Sequence, residues 1–492
     1  MLNQLILSGN QLSGSIPVEI GNMSNLIMLD LNDDNLSGEL PASIRNLSNI
    51  NEIFLYGNSI SGHFPGEIGN LRNLVNLQLL ANQFFGSIPR EIGNLRELRV
   101  LGLSETKLSG IIPTEIGKLS NLEILDLRTN NLSGQLPASI GNLTNLNELL
   151  LQNQLSGFLL LTMNNLTSLK HLQLASNSFT GHLPKQICGG GLLEFCSADE
   201  NHFIGPIPTS LKNCSSLIRL RLERNQLIGN LTEAFGSIPP ALGKAPQLHV
   251  LELSSNHLTG NIPTKLGSLK LFKLMLSENQ LSGEIPQTIR MLPNLESLDL
   301  AENNLSDSIS KELGGCSKLL QLNLENNKFE GNVPFKIANV NSLENLGRSS
   351  NLLVGKIPPQ LAEMQCLETL NLSHNNFSAS IPSDFGEMKS LTMVYMSFNQ
   401  LEGSIPNSKA FCDAPFEAFR NNKGLCGNVT GLQLCPTRTQ NPHGKEGKNM
   451  RILIILIPIF CSLFLLSIFV ILYIHHRRRR VTKTNTPDDI ET

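Results

Sequence analysis

The hydrophobic positions of this chain repeat with a fixed period over most of its length. The frame is LxxLxLxxNxLSGxIP, in which apolar residues recur at set spacings around one asparagine. The asparagine position occurs seventeen times, in steps of 24 residues except for two steps of 23 and one of 31. A repeat of this period predicts a solenoid of stacked turns. The positions are Asn10, Asp34, Asn58, Asn82, Thr106, Asn130, Asn153, Asn177, Asn201, Asn225, Asn256, Asn279, Asn303, Asn327, Asn351, Asn375 and Asn399.

Each part of the frame predicts a structural element. The LxL core, such as residues 53–55, predicts a short strand that buries its first and third residues and exposes the middle one. The asparagine lies where the chain leaves the strand, and its amide can satisfy backbone groups of neighbouring turns. The LSGxIP stretch, as in residues 132–137, predicts a glycine bend and a second extended element. The EIGNLxNL stretch, as in residues 67–74, predicts a short helical or 3₁₀ segment on the convex side.

Some turns depart from the frame, and we expect poorer packing there. Arg348 stands where a buried leucine is expected, and the proline is missing at Leu160 and Ser310. The 31-residue step between Asn225 and Asn256 carries seven extra residues. It indicates a junction where whole repeats have been lost or, alternatively, a looped-out insertion on the convex side.

Composition supports an array. At 492 residues the chain is too long for one compact core, and it contains no tryptophan and few aromatic residues. Its net charge of −3 gives no indication of nucleic-acid binding.

The LSGxIPxEIGNLxNL form of the repeat resembles that of plant leucine-rich repeat receptor-like kinases and receptor-like proteins, over nearly all of residues 1–409. The resemblance implies an α/β fold, a right-handed solenoid of about 17 turns with a parallel sheet on its concave face. Residues 187–230 resemble the members that perceive small secreted peptides. In those members an Arg-x-Arg pair on the inner face receives the terminal carboxylate of the ligand, and Arg219 and Arg221 are the matching positions.

The strand pattern agrees with this assignment. If Leu220 and Leu222 are buried, Arg219 and Arg221 both face the concave surface, where two planar donors can bind one carboxylate. The alternative is that these are ordinary solvated arginines, with Arg221 pairing with Asp199 or Glu252.

Other exposed strand positions are further candidates for ligand contact. An extended peptide of about twelve residues reaches roughly 40 Å, which corresponds to eight or so strands at about 4.8 Å each. A merely tolerated surface patch is the alternative. The candidate positions are Phe54, Tyr56, Gln78, Leu80, Asp126, Arg128, His171 and Gln173.

The cysteines fit an oxidising compartment. Cys426 and Cys435 lie in a stretch that resembles the C-terminal cap of the family, which implies a bridge between them. Cys188 and Cys214 fall at matching convex positions of adjacent turns, so a second bridge is expected. Cys196 and Cys316 occupy leucine-type positions and are expected in the core. No spacing suggests zinc, and no metal or cofactor is expected.

Twelve Asn-x-Ser/Thr sequons support a secretory route, although the NLS of the frame creates some of them by accident. Asn371 is an exception because a sugar there would face inward. The sites that we expect to carry glycans are Asn22, Asn46, Asn142, Asn165, Asn213 and Asn428.

Residues 452–474 contain no charge and are long enough, at roughly 35 Å as a helix, to cross a bilayer. The HHRRRR that follows predicts a cytoplasmic C-terminus, with the repeats outside the plasma membrane. The predicted organisation is a solenoid (1–409), a C-terminal cap (410–436), a juxtamembrane linker (437–451), a transmembrane helix (452–474) and a short basic tail (475–492).

The tail contains no Gly-rich loop, HRD or DFG, so no kinase activity is expected. The chain opens inside a repeat, which indicates either a fragment or secretion by means of the transmembrane helix. The main hypothesis is a receptor-like protein that binds a secreted peptide and signals through a co-receptor kinase with a shorter leucine-rich repeat ectodomain. The alternative is a fragment of a leucine-rich repeat Ser/Thr receptor kinase. A weaker third is an inhibitor of a cell-wall enzyme.

Overall fold

A computed structural model describes residues 2–235, residues 247–436 and Ile471. The chain divides into two compact units, residues 1–434 and residues 435–492, and the fold below is that of the first. The predicted membrane segment, residues 452–474, lies outside the described residues except for Ile471, which is helical. No described helix has the length and apolar character needed to cross a membrane.

The main element of the first unit is a sheet of 17 parallel strands in the described residues. Each strand pairs in parallel with the strands of the turns before and after it, as Phe195–Ser197 does with His171–Gln173 and Arg219–Arg221. We call the solvent-facing side of this sheet the concave face. The strands are Gln4–Ile6, Met28–Asp30, Glu52–Phe54, Asn76–Gln78, Val100–Gly102, Ile124–Asp126, Glu148–Leu150, His171–Gln173, Phe195–Ser197, Arg219–Arg221, Val250–Glu252, Lys273–Met275, Ser297–Asp299, Gln321–Asn323, Asn345–Gly347, Thr369–Asn371 and Met393–Tyr395.

A second extended element follows in each turn, as the LSGxIP stretch predicts. In the described residues these strands form a 13-stranded and a 5-stranded parallel sheet. The first consists of Ser13–Gly14, Asn35–Glu39, Ser59–His63, Gln83–Gly86, Lys107–Gly110, Asn131–Gln135, Gln154–Phe158, Ser178–His182, His202–Pro206, Gln226–Asn230, His257–Asn261, Gln280–Gly283 and Asn304–Leu305. The second consists of Glu330–Gly331, Leu352–Gly355, Asn376–Ala379, Gln400–Ser404 and Gly424–Cys426.

Short 3₁₀ helices occupy the EIGNL-type stretches, again as the frame predicts. Most begin after a proline in extended conformation, which presets the backbone for the first helical residue. They are Val18–Asn22, Ala42–Asn46, Gly66–Asn70, Arg90–Asn94, Thr114–Lys118, Ala138–Asn142, Leu161–Asn165, Thr209–Asn213, Thr264–Ser268, Gln287–Met291, Lys311–Gly315, Phe335–Asn339, Pro359–Glu363, Ser383–Glu387 and Phe416–Ala418. The α-helices among the described residues are Leu231–Phe235 and Lys409–Cys412.

The interior is one apolar core crossed by a ladder of asparagine amides. The Nδ2 of Asn58 donates to the carbonyl of Leu31 in the preceding turn at 2.8 Å and to that of Leu55 in its own turn at 3.1 Å. Its Oδ1 accepts from the backbone N–H of Leu36 at 2.9 Å. The amides therefore pair backbone groups that would otherwise be buried without partners, as the sequence predicts. Asn422, which lies in the predicted cap, makes the same bonds and extends the ladder by one turn.

Both sheets continue across the 31-residue step. The strand Arg219–Arg221 pairs directly with Val250–Glu252, and Gln226–Asn230 pairs with His257–Asn261. The described part of the extra sequence begins with the helix Leu231–Phe235, and residues 236–246 lie outside the described residues. The concave face is therefore uninterrupted at the position of the predicted arginine pair.

Irregular turns have visible consequences. At Ser310 the hydroxyl replaces the usual proline as the helix cap and accepts from the N–H of Glu312, and the second element changes from one sheet to the next at this turn. Arg348 lies fully inside the core with 0% exposure, and none of its side-chain nitrogens has a hydrogen-bond partner among the described residues. The departure from leucine at this position therefore leaves a buried guanidinium unpaired.

The Ala379→Gly substitution is expected to stabilise the second element of its turn by up to about 1 kcal/mol. Ala379 has a φ of +66°, whereas Gly355 and Gly403 occupy the same place in the neighbouring turns. A side chain in left-handed conformation costs about 1–2 kcal/mol, partly offset by the greater freedom of glycine in the unfolded chain. The denaturant midpoint measures this. Asp307, at φ +63°, provides the control: Asp307→Gly should gain less because aspartate tolerates this conformation, and equal effects would contradict the explanation.

Candidate functional site

A depression of about 410 Å³ opens on the concave face where the strands His171–Gln173, Phe195–Ser197 and Arg219–Arg221 lie side by side. Five of the predicted contact residues meet here, although they come from three different turns. The residues that line it are Arg128, Glu148, Leu150, His171, Leu172, Gln173, Phe195, Cys196, Ser197, Arg219 and Arg221.

The strand alternation sets the direction of the two arginines. Leu220 and Leu222 are both 0% exposed, so Arg219 and Arg221 project to the opposite, solvent-facing side. Both side chains therefore stand on the concave face, as the sequence predicts. Their surroundings differ, which the sequence pattern did not indicate.

Arg221 is held by carboxylates. Its Nε and one terminal nitrogen lie 3.0 and 2.6 Å from Oε1 of Glu223. The carboxylates of Glu252 and Asp199 lie 3.4 and 3.7 Å from the same guanidinium. Glu252 also pairs with Lys273 at 3.1 Å. The alternative interpretation of Arg221, pairing with Asp199 or Glu252, is therefore observed, with Glu223 as the nearest partner.

Arg219 is exposed and makes a different contact. Its guanidinium carbon lies 5.9 Å from the centre of the Phe195 ring, a cation–π contact worth about 0.5–1 kcal/mol at an exposed site. Within the described part of the chain, no carboxylate lies within 4 Å of it. Arg219 is thus the guanidinium of this depression whose charge is still available to an anion.

Phe195 was missed at the sequence level. Its ring packs against the His171 imidazole of one neighbouring strand, at 4.9 Å between centres, and against the guanidinium of Arg219 on the other neighbouring strand. The imidazole is itself flanked by Glu148 at 3.2 Å and Glu194 at 3.9 Å. Cys196 occupies the leucine position of this strand, so the residue before it belongs on the concave face. The alternation around Cys196 was the signal that could have identified Phe195.

Arg128 forms a bidentate pair with Asp126, with both N–O distances at 2.9 Å. Hydrogen bonding to this carboxylate raises the pKa of the guanidinium, outweighing the opposing effect of burial. Arg128 lines the depression, whereas Asp126 does not line it and contacts only Arg128 of the lining residues through this pair. The two charges neutralise each other, so the pair contributes to the shape of the depression but little to its net charge.

The remaining predicted contacts lie nearer the N-terminus on the same face. Phe54 aligns with Gln78 on the next strand, and Tyr56 and Leu80 follow two residues later. All four side chains are half-buried and outside the depression. Burial, and then the charges of Asp33 and Asp30, raise the pKa of the Tyr56 hydroxyl.

Four of the described cysteines are disulfide-bonded, and two of the free ones lie in the core. The structure joins Cys188 to Cys214 across adjacent turns, with a Cα–Cα distance of 5.9 Å. Cys426 and Cys435 are each disulfide-bonded. Cys196 and Cys316 are free and buried, and burial raises the pKa of the Cys196 thiol to about 12.

The predicted glycan acceptors lie away from the concave face. Asn371, by contrast, lies on it, and its Nδ2 donates to Oε1 of Glu325 at 2.6 Å, a bond that a sugar would break. In the described residues no cluster of three or more His, Cys, Asp or Glu side chains is arranged for a metal ion. The acceptors that end 3₁₀ helices are Asn22, Asn46, Asn142, Asn165 and Asn213, and Asn428 is exposed in the C-terminal segment.

Family models agree with the repeat frame. A model described as a leucine-rich repeat region matches residues 86–189. A second, described as Leucine Rich Repeat, matches residues 1–23, 247–269, 294–316 and 366–388. No curated protein matches the chain.

Solved structures give closer comparisons. The chain is 34% identical to the plant peptide hormone receptor RGFR1, solved in complex with RGF2, covering 86% of this chain and 79% of that one with a TM-score of 0.70. It is 36% identical to the ectodomain of the receptor kinase GASSHO1/SCHENGEN3 from Arabidopsis thaliana, solved with CASPARIAN STRIP INTEGRITY FACTOR 2, with coverages of 88% and 60% and a TM-score of 0.58. It is 25% identical to the Arabidopsis receptor kinase HAESA, solved with the peptide hormone IDA and the co-receptor SERK1, with coverages of 88% and 92% and a TM-score of 0.63.

Proposed function

Because this chain belongs to the leucine-rich repeat ectodomains of plant receptors, we propose that it binds a secreted peptide on its concave face, with the terminal carboxylate of the peptide at Arg219. The observation that carries the proposal is the exposed guanidinium of Arg219, which lines a solvent-accessible depression on the concave face. Three of the similar structures contain a peptide or protein ligand by their descriptions, which supports a ligand of this class.

The two arginines would contribute to ligand binding in different ways. A carboxylate that approaches Arg219 meets five N–H donors in a planar fork, none of them engaged by a described acid. Arg221 is already bound to Glu223 and would form a fixed wall of the site rather than offer free donors. We therefore expect Arg219 to make the stronger contact.

The rest of the ligand would extend toward the N-terminal turns. The strand Glu52–Phe54 lies seven strands from Arg219–Arg221, about 34 Å at roughly 4.8 Å per strand. An extended peptide of ten to twelve residues spans this distance. Phe54, Tyr56, Gln78 and Leu80 would then contact its N-terminal part, and His171 with Gln173 the part next to Arg219.

Signalling would require a membrane anchor and a partner. The apolar residues 452–474 followed by HHRRRR support a single-pass protein of the plasma membrane with its repeats outside. The presence of SERK1 beside HAESA supports a co-receptor kinase with a shorter leucine-rich repeat ectodomain as the partner. Alternatively, the chain is part of a leucine-rich repeat receptor kinase, and an open frame with a phosphate-binding glycine loop immediately downstream in the genome would favour this.

The Arg219→Ala substitution is expected to weaken peptide binding by about 10- to 100-fold, because a hydrogen-bonded charge pair contributes about 1.5–3 kcal/mol. The full chain, purified in detergent and immobilised, is exposed to a random pool of 12-residue peptides with free C-termini. Retained peptide is measured by mass spectrometry. The same pool with amidated C-termini should be retained poorly by the native protein.

The matched control is Arg224→Ala, which removes an exposed arginine of the same turn that pairs with Glu200 and lies outside the depression. It should leave retention unchanged. Equal retention of acid and amide pools, or unchanged retention by Arg219→Ala, would remove the carboxylate role. No retention of either pool by the native protein would count against peptide binding.

A further inference from the structure

The ion cluster around Arg221 holds more carboxylates than cations. Asp199, Glu223 and Glu252 share Arg221 and Lys273, at distances of 2.6 to 3.7 Å. With all three acids ionised the cluster carries one excess negative charge. The charge of Arg219, two residues from Arg221, balances this excess in the free protein, and a ligand carboxylate that pairs with Arg219 would remove that balance.

We infer that occupation of the anion site beside Arg219 and Arg221 is coupled to the uptake of one proton by Glu223. This inference rests on the proposed function and adds a condition to it. Uptake of this proton would neutralise the excess negative charge of the cluster when the ligand carboxylate binds.

Glu223 is the acid whose contacts fit this role. Its Oε1 accepts both bonds from Arg221, whereas its Oε2 is buried and has no hydrogen-bond partner in the described parts of the chain. An ionised carboxylate oxygen without a donor is costly in such a position, and a protonated one is not. Burial, and then the charge of Asp199, raise the pKa of Glu223 to about 7.

Glu252 behaves in the opposite way. Burial raises its pKa, but the bond from Lys273, a bond from Glu223 in its protonated form and the charge of Arg221 outweigh this and lower it. Glu252 therefore remains the ionised acid of the pair and the acceptor for a proton on Glu223. The two neighbouring carboxylates are thus driven toward opposite protonation states.

The other charged groups near the cluster do not alter its balance. Glu200 and Arg224 pair with each other at 2.6 Å and cancel. Glu278 is exposed and accepts from the Ser255 hydroxyl at 2.8 Å. The excess charge consequently belongs to the acids that face Arg221.

The sign of the pH effect follows from linkage. Below pH 7 Glu223 is already protonated in the free protein, so the ligand binds without proton uptake. Above pH 7 the proton must be taken from solvent, so affinity falls as pH rises. With one proton per ligand the limit is tenfold per pH unit above the pKa, up to about 30-fold between pH 6 and pH 8.5.

The test compares the full native chain with the Glu223→Gln variant, whose amide mimics the protonated acid. The probe is the random 12-residue pool with free C-termini, measured at pH 6 and pH 8.5. The native protein should retain less peptide at pH 8.5, whereas Glu223→Gln should retain the same amount at both. Glu278→Gln removes an exposed charge outside this cluster and should keep the native pH dependence.

The outcomes separate the two proposals. Retention by the native chain that does not depend on pH, or that falls equally in Glu223→Gln, overturns the proton coupling and leaves peptide binding intact. Retention that is absent at both pH values removes the proposed function and the coupling together. If the pH dependence also disappears in Glu278→Gln, the effect comes from general surface charge, and the role of Glu223 is overturned.

Discussion

The Arg348→Leu substitution is expected to raise the free energy of unfolding by about 3–5 kcal/mol, although it removes a large polar side chain. The expectation follows from the position: Arg348 is 0% exposed, and Leu324 and Leu372 fill the same place in the adjacent turns. An uncompensated buried charge costs about this amount. Burial alone lowers the pKa of this guanidinium to about 9, and no acid of the described residues pairs with it.

The pH dependence gives an independent check. The unfolded chain holds the Arg348 proton at the ordinary, much higher pKa of arginine, whereas the folded chain begins to release it near pH 9. Between these values the unfolded state binds more protons, so native stability rises with pH relative to Arg348→Leu. The advantage of the variant should be full at pH 7 and smaller at pH 10.5. Urea unfolding at both pH values measures it.

Long repeat arrays do not always unfold in one step, so a local measurement is also needed. Native-state hydrogen exchange should show the largest gain of protection at the strands Asn345–Gly347 and Thr369–Asn371. Leu324→Arg is the reciprocal control and should lower stability by a similar amount in the turn before. A loss of stability in Arg348→Leu would mean that the guanidinium has a partner in solution, which contradicts the explanation.

The sequence predicted the repeating parts of the fold because each depends on local spacing. Alternation fixes which strand residues are buried, and the asparagine position fixes the backbone bonds between turns. The direction of Arg219 and Arg221 follows from Leu220 and Leu222 by the same rule. A period that repeats along the chain predicts every turn that keeps it.

The electrostatic state of the candidate site was not predictable in this way. The partners of Arg221 come from three turns, and a side chain of this length can reach several acids at similar sequence spacings. Which one it bonds depends on side-chain distances within its own turn and across neighbouring strands, and these place Glu223 ahead of Asp199 and Glu252. The direction of Phe195 follows from the alternation around Cys196, but its contacts with His171 and Arg219 depend on distances between strands. Sequence spacing predicts which face of the sheet a side chain occupies, but not which residue it pairs with there.

The Asn303→Ala substitution is expected to lower the free energy of unfolding by about 3–5 kcal/mol. The Nδ2 of Asn303 donates to the carbonyls of Leu276, Leu300 and Ala301 at 2.9 to 3.2 Å, and its Oδ1 accepts from the N–H of Leu281 at 3.0 Å. Alanine removes this partner from the buried N–H of Leu281 and the carbonyls of Leu276 and Leu300, at about 1–3 kcal/mol for each that water cannot reach, whereas the Ala301 carbonyl keeps its bond from the N–H of Glu278. Urea unfolding measures the loss, and hydrogen exchange at Leu281 locates it.

Asn10→Ala is the matched control, because Asn10 has the same place in the first turn but is exposed, and its Nδ2 donates only to Leu7 and Ser8. Water can replace these bonds, so this variant should lose less than about 1 kcal/mol. The chain also supplies a natural test at Thr106, whose hydroxyl reaches only Leu103 and the amide oxygen of Asn130. Thr106→Asn should therefore stabilise its turn. If Asn303→Ala and Asn10→Ala cost the same, burial of the backbone groups does not explain why asparagine recurs, and the ladder is not what holds the turns in register.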